Sequence, residues 1–102
     1  MQLKDIEYVR AIAAEGSFSA AAAKCFISQP ALSLAVKRLE QELGVILFDR
    51  STNSVKLSSA GELFLSEGEN ILRLSSQLKE RMMHIALLKR GNIRMGISTF
   101  YS

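Results

Sequence analysis

Apolar side chains recur at helical spacing along most of the chain, and the breaks in that spacing divide it into elements. Leu3, Ile6, Val9, Ile12 and Ala13 share one stripe, with Asp5 and Glu7 in the first turns and Gly16 as the stop. This predicts a first amphipathic helix over 3–15. Ser17-Phe18-Ser19 reads as a short turn, with Ser19 capping an alanine-rich second helix from Ala20 to about Phe26. Phe26-Ile27-Ser28 leaves room for a tight turn and nothing more. A third helix then runs from Ser28 as N-cap, through Pro30 in its first turn, to Gly44 as its C-terminal stop. Leu32, Val36, Leu39 and Leu43 form its apolar face. Pro30, Ser33, Leu34, Lys37 and Gln41 lie opposite, with Arg38 at the edge and Gln29 at the tip.

Beyond Gly44 the period changes. Leu47-Phe48-Asp49-Arg50, a polar turn over residues 51–54, and Val55-Lys56-Leu57-Ser58 predict a short hairpin with Phe48, Val55 and Leu57 facing inward. Ser58 and Ser59 are alternative caps for the next helix, and Ser59 with Glu62 has capping-box spacing. That helix is expected to continue to about Arg90, a length of about 45 Å at 1.5 Å per residue, long for a compact domain of this size. Ile71, Leu74, Leu78, Ile85 and Leu88 take heptad positions on it; Arg81 interrupts the seam and Met82 fills the gap. An apolar stripe on such a helix calls for a partner helix, which predicts dimerisation, the alternative being a helix folded back on its own core. Gly91-Asn92 ends the helix, and residues 93–98 alternate like the first strand of a further domain. The expected division is 1–58, 59–90 and 91–102.

Two short helices joined by a tight turn and braced by a preceding helix form a helix-turn-helix pattern, and the hairpin behind the third helix is a wing. A firmly anchored helix with a short-chained, basic front suits the major groove of DNA, which displays a distinct donor and acceptor pattern for each base pair. A merely solvated helix with charges four residues apart has a similar pattern. In the wing, Arg50, Asn53 and Lys56 are the candidates for contact with nucleic acid.

Composition narrows the choice. Hydrophobic residues make up 48% and charged residues 23% of the 102, a globular balance. The net charge of +3 means that anion binding must come from placement rather than total charge. One cysteine, Cys25, excludes an internal disulfide and is expected as a buried thiol. No apolar run approaches the roughly 20 residues of a membrane span, so a soluble cytoplasmic protein is expected. The one histidine, His84, has no ligand cluster around it, and no phosphate loop or nucleophile–base pair is present; neither a metal, a cofactor nor an enzymatic activity is expected. Glu40, Glu42 and Asp49 read as solvated charges or local partners of Lys37, Arg38 and Arg50. A competing class is a protein-interaction module built on the heptad stripe.

The chain resembles the N-terminal part of LysR-type transcriptional regulators from about Leu3 to Arg90. The residues that carry the likeness are Phe18-Ser19-Ala20-Ala21-Ala22, Ser28-Gln29-Pro30-Ala31-Leu32-Ser33, Arg38-Leu39-Glu40, Leu43-Gly44-Val45, Leu47-Phe48-Asp49-Arg50 and Leu57-Ser58-Ser59-Ala60-Gly61. The resemblance implies a mainly α fold, a winged helix-turn-helix followed by a long dimerisation helix. It implies base-edge positions at Gln29, Pro30 and Ser33, and backbone or flanking positions at Ser28, Lys37 and Arg50. It further implies a homodimer through the long helix, a tetramer in full-length members, and a small-molecule inducer bound by a domain beyond residue 90. Two departures stand out. Leu34 and Ala35 occupy positions where members often carry arginine and a polar residue, and Asn53 stands where a wing arginine is common. Leu34 is then a candidate for apolar contact with a thymine methyl.

Overall fold

The structure, a computed structural model, describes residues 1–51 and 53–90. The strand expected over 93–98 lies outside them. The elements are helices α1 (Leu3–Glu15), α2 (Phe18–Lys24) and α3 (Gln29–Leu43), strands β1 (Phe48–Asp49) and β2 (Lys56–Leu57), and helix α4 (Ser59–Arg90). The strands pair antiparallel, Phe48 opposite Leu57 and Asp49 opposite Lys56.

Ile6, Val9 and Ile12 of α1 and Leu32, Val36 and Leu39 of α3 are buried, as their spacing predicts. Ala21 and Ala22 of α2 lie between them with essentially no exposure, so small side chains let three helices close over one core. Leu47 and Phe48 complete that core from the hairpin, with Val55, Leu57 and Phe64 packed on its margin. Each such large apolar side chain contributes about 1.5–3 kcal/mol by leaving water. Leu3 and Leu43, expected on the same stripes, are more than a third exposed. They sit in end turns of their helices, and Leu43 lines a shallow apolar groove of about 340 Å³ with Val45, Leu63 and Ile71 instead of entering the core.

The second helix begins two residues earlier than its sequence suggests. Ser17, not Ser19, is the N-cap, its hydroxyl accepting the Ala20 N–H at 3.0 Å. Starting there makes Phe18 helical and lays its ring edge-on to Phe48, centroids 5.8 Å apart. The helix ends in a Schellman turn: Ile27 N–H donates to the Ala22 carbonyl and Phe26 N–H to that of Ala23. The left-handed position of this turn, usually glycine, holds Phe26 at φ 60°, with its ring 93% exposed. Cys25, the cap residue, is half-buried rather than buried.

Of the two caps open for α4, Ser58 is used. Its hydroxyl accepts the Gly61 N–H at 3.0 Å and donates to the Ile46 carbonyl at 2.6 Å. Ser59 is therefore the first helical residue, and the Ser59–Glu62 capping box does not form. Gly61 and Gly68 are the buried residues of α4. A Cβ at Gly61 would fall on the Leu47 carbonyl, and one at Gly68 would meet the γ2 methyl of Ile6 at 2.7 Å. Absent side chains let this helix lie against the core.

A first compact unit runs from Met1 to Leu72 and includes the start of α4; a second begins at Arg73. On α4, Ile71, Leu74, Leu78, Met82 and Leu88 are exposed and Ile85 is partly so. Ile71 belongs to the first unit, where it lines the apolar groove beside Leu43; the other five belong to the second. Among the described residues, no helix is long and apolar enough to cross a membrane.

Candidate nucleic-acid interface

Helix α3 is held from behind and capped at both ends. Leu32, Val36 and Leu39 fix its back in the core, the Ser28 hydroxyl accepts the Ala31 N–H at 3.2 Å, and Gly44 closes the far end at φ 73°. A helix so anchored presents its front as a rigid surface. That front consists of Gln29, Pro30, Leu34, Lys37 and Arg38, all exposed, with Ser33 half-buried between them. Leu34 is 48% exposed, an apolar side chain placed among polar ones.

The tip is pre-arranged. Gln29 Nε2 donates to Ser33 Oγ at 2.9 Å, one turn along the helix. This leaves the Gln29 carbonyl and its second amide proton for a base, and leaves the Ser33 hydroxyl proton free to be donated outward. An amide that keeps one acceptor and one donor matches the adenine edge in the major groove. At the same end Pro30 has no N–H and those of Ala31 and Leu32 are taken by Ser28, which leaves the Gln29 N–H and the positive pole of the helix to favour a phosphate.

The nearby carboxylates do not neutralise this front. Glu40 is turned inward, its Oε2 accepting the Leu47 N–H at 2.8 Å. Glu42 pairs with the Met1 amino group at 2.9 Å, which raises that amine above its ordinary value. Asp49 accepts from both the hydroxyl and the N–H of Ser51, at 2.7 and 3.0 Å, and these bonds hold its carboxyl below the ordinary range, with the charge of Lys56 adding a smaller pull. None of the three forms the local ion pair with Lys37, Arg38 or Arg50 that its sequence position suggests. Among the described residues no acid lies within ion-pair distance of those three cations.

The hairpin places Arg50, Asn53 and Lys56 on its exposed side, separate from the α3 residues in sequence but attached to the same core through Phe48 and Leu57. Arg50 does not extend freely: its guanidinium lies over the Phe18 ring, 4.5 Å from the centroid. Phe18 was legible as a motif residue, but its link to the wing was not. The signal available was an aromatic at the start of α2 facing an arginine just beyond a buried strand residue.

Three helices with a two-stranded wing define the winged helix-turn-helix class. The family description "Bacterial regulatory helix-turn-helix protein, lysR family" matches residues 3–62. The chain is 42% identical over 99 residues to the HTH-type transcriptional regulator BudR of Klebsiella aerogenes, covering 97% of this chain and 69% of that protein. It is 42% identical over 96 residues to a probable RuBisCO transcriptional regulator of Nostoc sp., covering 94% of this chain and 28% of that one. Among solved structures, the DNA-binding domain of BenM in complex with its benA site 1 DNA superposes with a TM-score of 0.81 at 35% identity, covering 84% of this chain and 97% of that domain. The chain belongs to the LysR family of bacterial regulatory helix-turn-helix proteins.

Proposed function

We propose that this chain is the DNA-reading part of a cytoplasmic transcriptional regulator, with α3 in the major groove and the wing on the flanking backbone. The observation that carries the reading is the uncompensated basic front of α3, with Gln29 held by Ser33 on an immobile helix. Gln29, Pro30, Ser33 and Leu34 read base edges; Ser28, Lys37, Arg38, Arg50 and Lys56 meet phosphates or flank them. Asn53 at the wing tip lacks the charge for strong minor-groove insertion and supplies a hydrogen bond at most.

The long helix gives the regulator its symmetry. Ile71, Leu74, Leu78, Met82, Ile85 and Leu88 pair with the same residues of a second copy, and the dimer reads two half-sites about one helical turn apart or a multiple of it. In this division residues 1–58 bind DNA, 59–90 assemble the dimer, and 91–102 lead into an inducer-binding domain of a longer protein that forms tetramers.

Selection of bound duplexes from a random pool at two salt concentrations tests the reading. The expected product is a palindrome-like motif whose affinity falls steeply with salt, because each neutralised phosphate releases counterions. Recovery of unselected sequences would remove the base-reading role of α3. Absence of binding at low salt would favour a protein-interaction module.

A further inference from the structure

The base of the wing is fastened to the turn between α1 and α2 at two points. Val55 N–H donates to the Gly16 carbonyl at 3.2 Å, and two residues on, at the first residue of α2, the Phe18 ring carries the Arg50 guanidinium at 4.5 Å. The same ring is braced edge-on by Phe48, which is 2% exposed. Phe18 is therefore half-buried and braced by a second ring, with a cation over its face. A guanidinium drawn to a ring face by its charge spends none of its five N–H donors on a hydrogen-bond acceptor, so the contact positions the group without consuming its hydrogen bonds. Asp49, the neighbouring acid, is held by Ser51 and does not compete for it.

We propose that Phe18 is a positioning residue of the DNA contact: its ring presents the Arg50 guanidinium at the base of the wing, oriented for a backbone phosphate. This deepens the reading above and rests on Arg50 meeting the backbone. An arginine left to rotate freely must be ordered when DNA arrives; one already stacked is not, and that difference appears as affinity. Lysine at position 50 would keep the charge but not the plane. No base contact is involved, so the effect is the same on every sequence.

The test uses the 102-residue chain and a fixed duplex recovered from the random pool, with affinity measured across a salt series. Arg50→Ala is expected to reduce the slope of log K against log salt by about one. Phe18→Leu, which keeps apolar volume but removes the ring face, is expected to weaken binding about two- to fivefold, the range of an exposed cation–π contact. The two changes combined should cost no more than Arg50→Ala alone, and Phe18→Tyr should bind as the unchanged chain does. Additive losses, or full affinity in Phe18→Leu, would overturn the proposal while leaving the phosphate contact intact. An unchanged salt slope in Arg50→Ala would instead remove the contact itself, and the proposal with it. Should Phe18→Leu fail to fold, Arg50→Lys decides: a chain that binds with full affinity after losing the planar group needs no platform.

Discussion

The Glu40 carboxylate of α3 accepts the backbone N–H of Leu47 at 2.8 Å, seven residues on and across the turn that leads into the wing. One charge-assisted bond thus sets where the wing leaves the recognition helix. Glu40→Ala leaves that N–H without a partner and is expected to cost about 1–3 kcal/mol, whereas Glu40→Gln retains an acceptor and should lose much less. Denaturant midpoints of the two variants check this. Equal losses would assign the effect to packing of the side-chain stem.

The two buried glycines of α4 differ in what opposes a methyl group. At Gly61 it is the Leu47 backbone carbonyl; at Gly68 it is the γ2 methyl of Ile6, on the β-carbon of a buried, β-branched side chain. Gly61→Ala is expected to destabilise by about 1–3 kcal/mol. Gly68→Ala should destabilise as well, but by less, since alanine's better helix propensity offsets part of the cost of displacing the buried Ile6. Thermal unfolding of both variants gives the order, and a reversed order would contradict the packing described.

Phe26 occupies a left-handed backbone position with its ring in solvent. The conformation costs an L-residue about 1–2 kcal/mol, of which glycine's larger unfolded-state entropy returns roughly half. Phe26→Gly is therefore expected to stabilise the chain by about 0.5–1 kcal/mol. Phe26→Ala keeps the unfavourable backbone and should change little. Chemical denaturation separates them; a stabilised Ala variant would point to the ring and not the backbone.

Local signals were the legible ones. The caps and apolar face of α3 lie within its own residues, and so do the alternation of the hairpin and the small residues of α2. What the chain does not reveal in its linear pattern is which of two equivalent local choices the tertiary contacts select. Ser17 and Ser19 are equally good caps for α2, and the packing of Phe18 on Phe48 decides between them. Ser58 and Ser59 are likewise interchangeable until the Ile46 carbonyl is in place. For the candidate interface, the residues of α3 could be named from spacing, but not the Gln29–Ser33 bond. Glu40 has cations within one turn and an unseen N–H beyond the helix; the latter takes it.

On DNA, the front of α3 should divide into two kinds of residue. Gln29→Ala is expected to relax base preference, by about 1–3 kcal/mol of discrimination at one position. Lys37→Ala should weaken binding to all sequences alike and lower the salt slope by about one. Competition between the selected duplex and single-base variants, repeated at several salt concentrations, distinguishes the two. A Gln29→Ala chain with unaltered preference would exclude this residue from base reading.

Assembly is addressed along α4. Leu74 and Leu78 are 64% and 59% exposed, so aspartate at either position should leave the fold intact and abolish self-association. Sedimentation equilibrium is expected to give a dimer for the unchanged chain and a monomer for Leu78→Asp. A monomer in both cases would refute the paired-helix reading.

The fastening of the wing to the α1–α2 turn also has a consequence in time. Contacts of α1 with α2 and of α2 with α3 join neighbours in sequence, whereas the Val55–Gly16 and Arg50–Phe18 contacts, like those of α1 with α3, close longer loops. Loop closure of that kind is slow relative to helix formation, so the helices can form locally before the wing docks onto the α1–α2 turn. The wing thus keeps its place through contacts distant in sequence and not through its own two short strands.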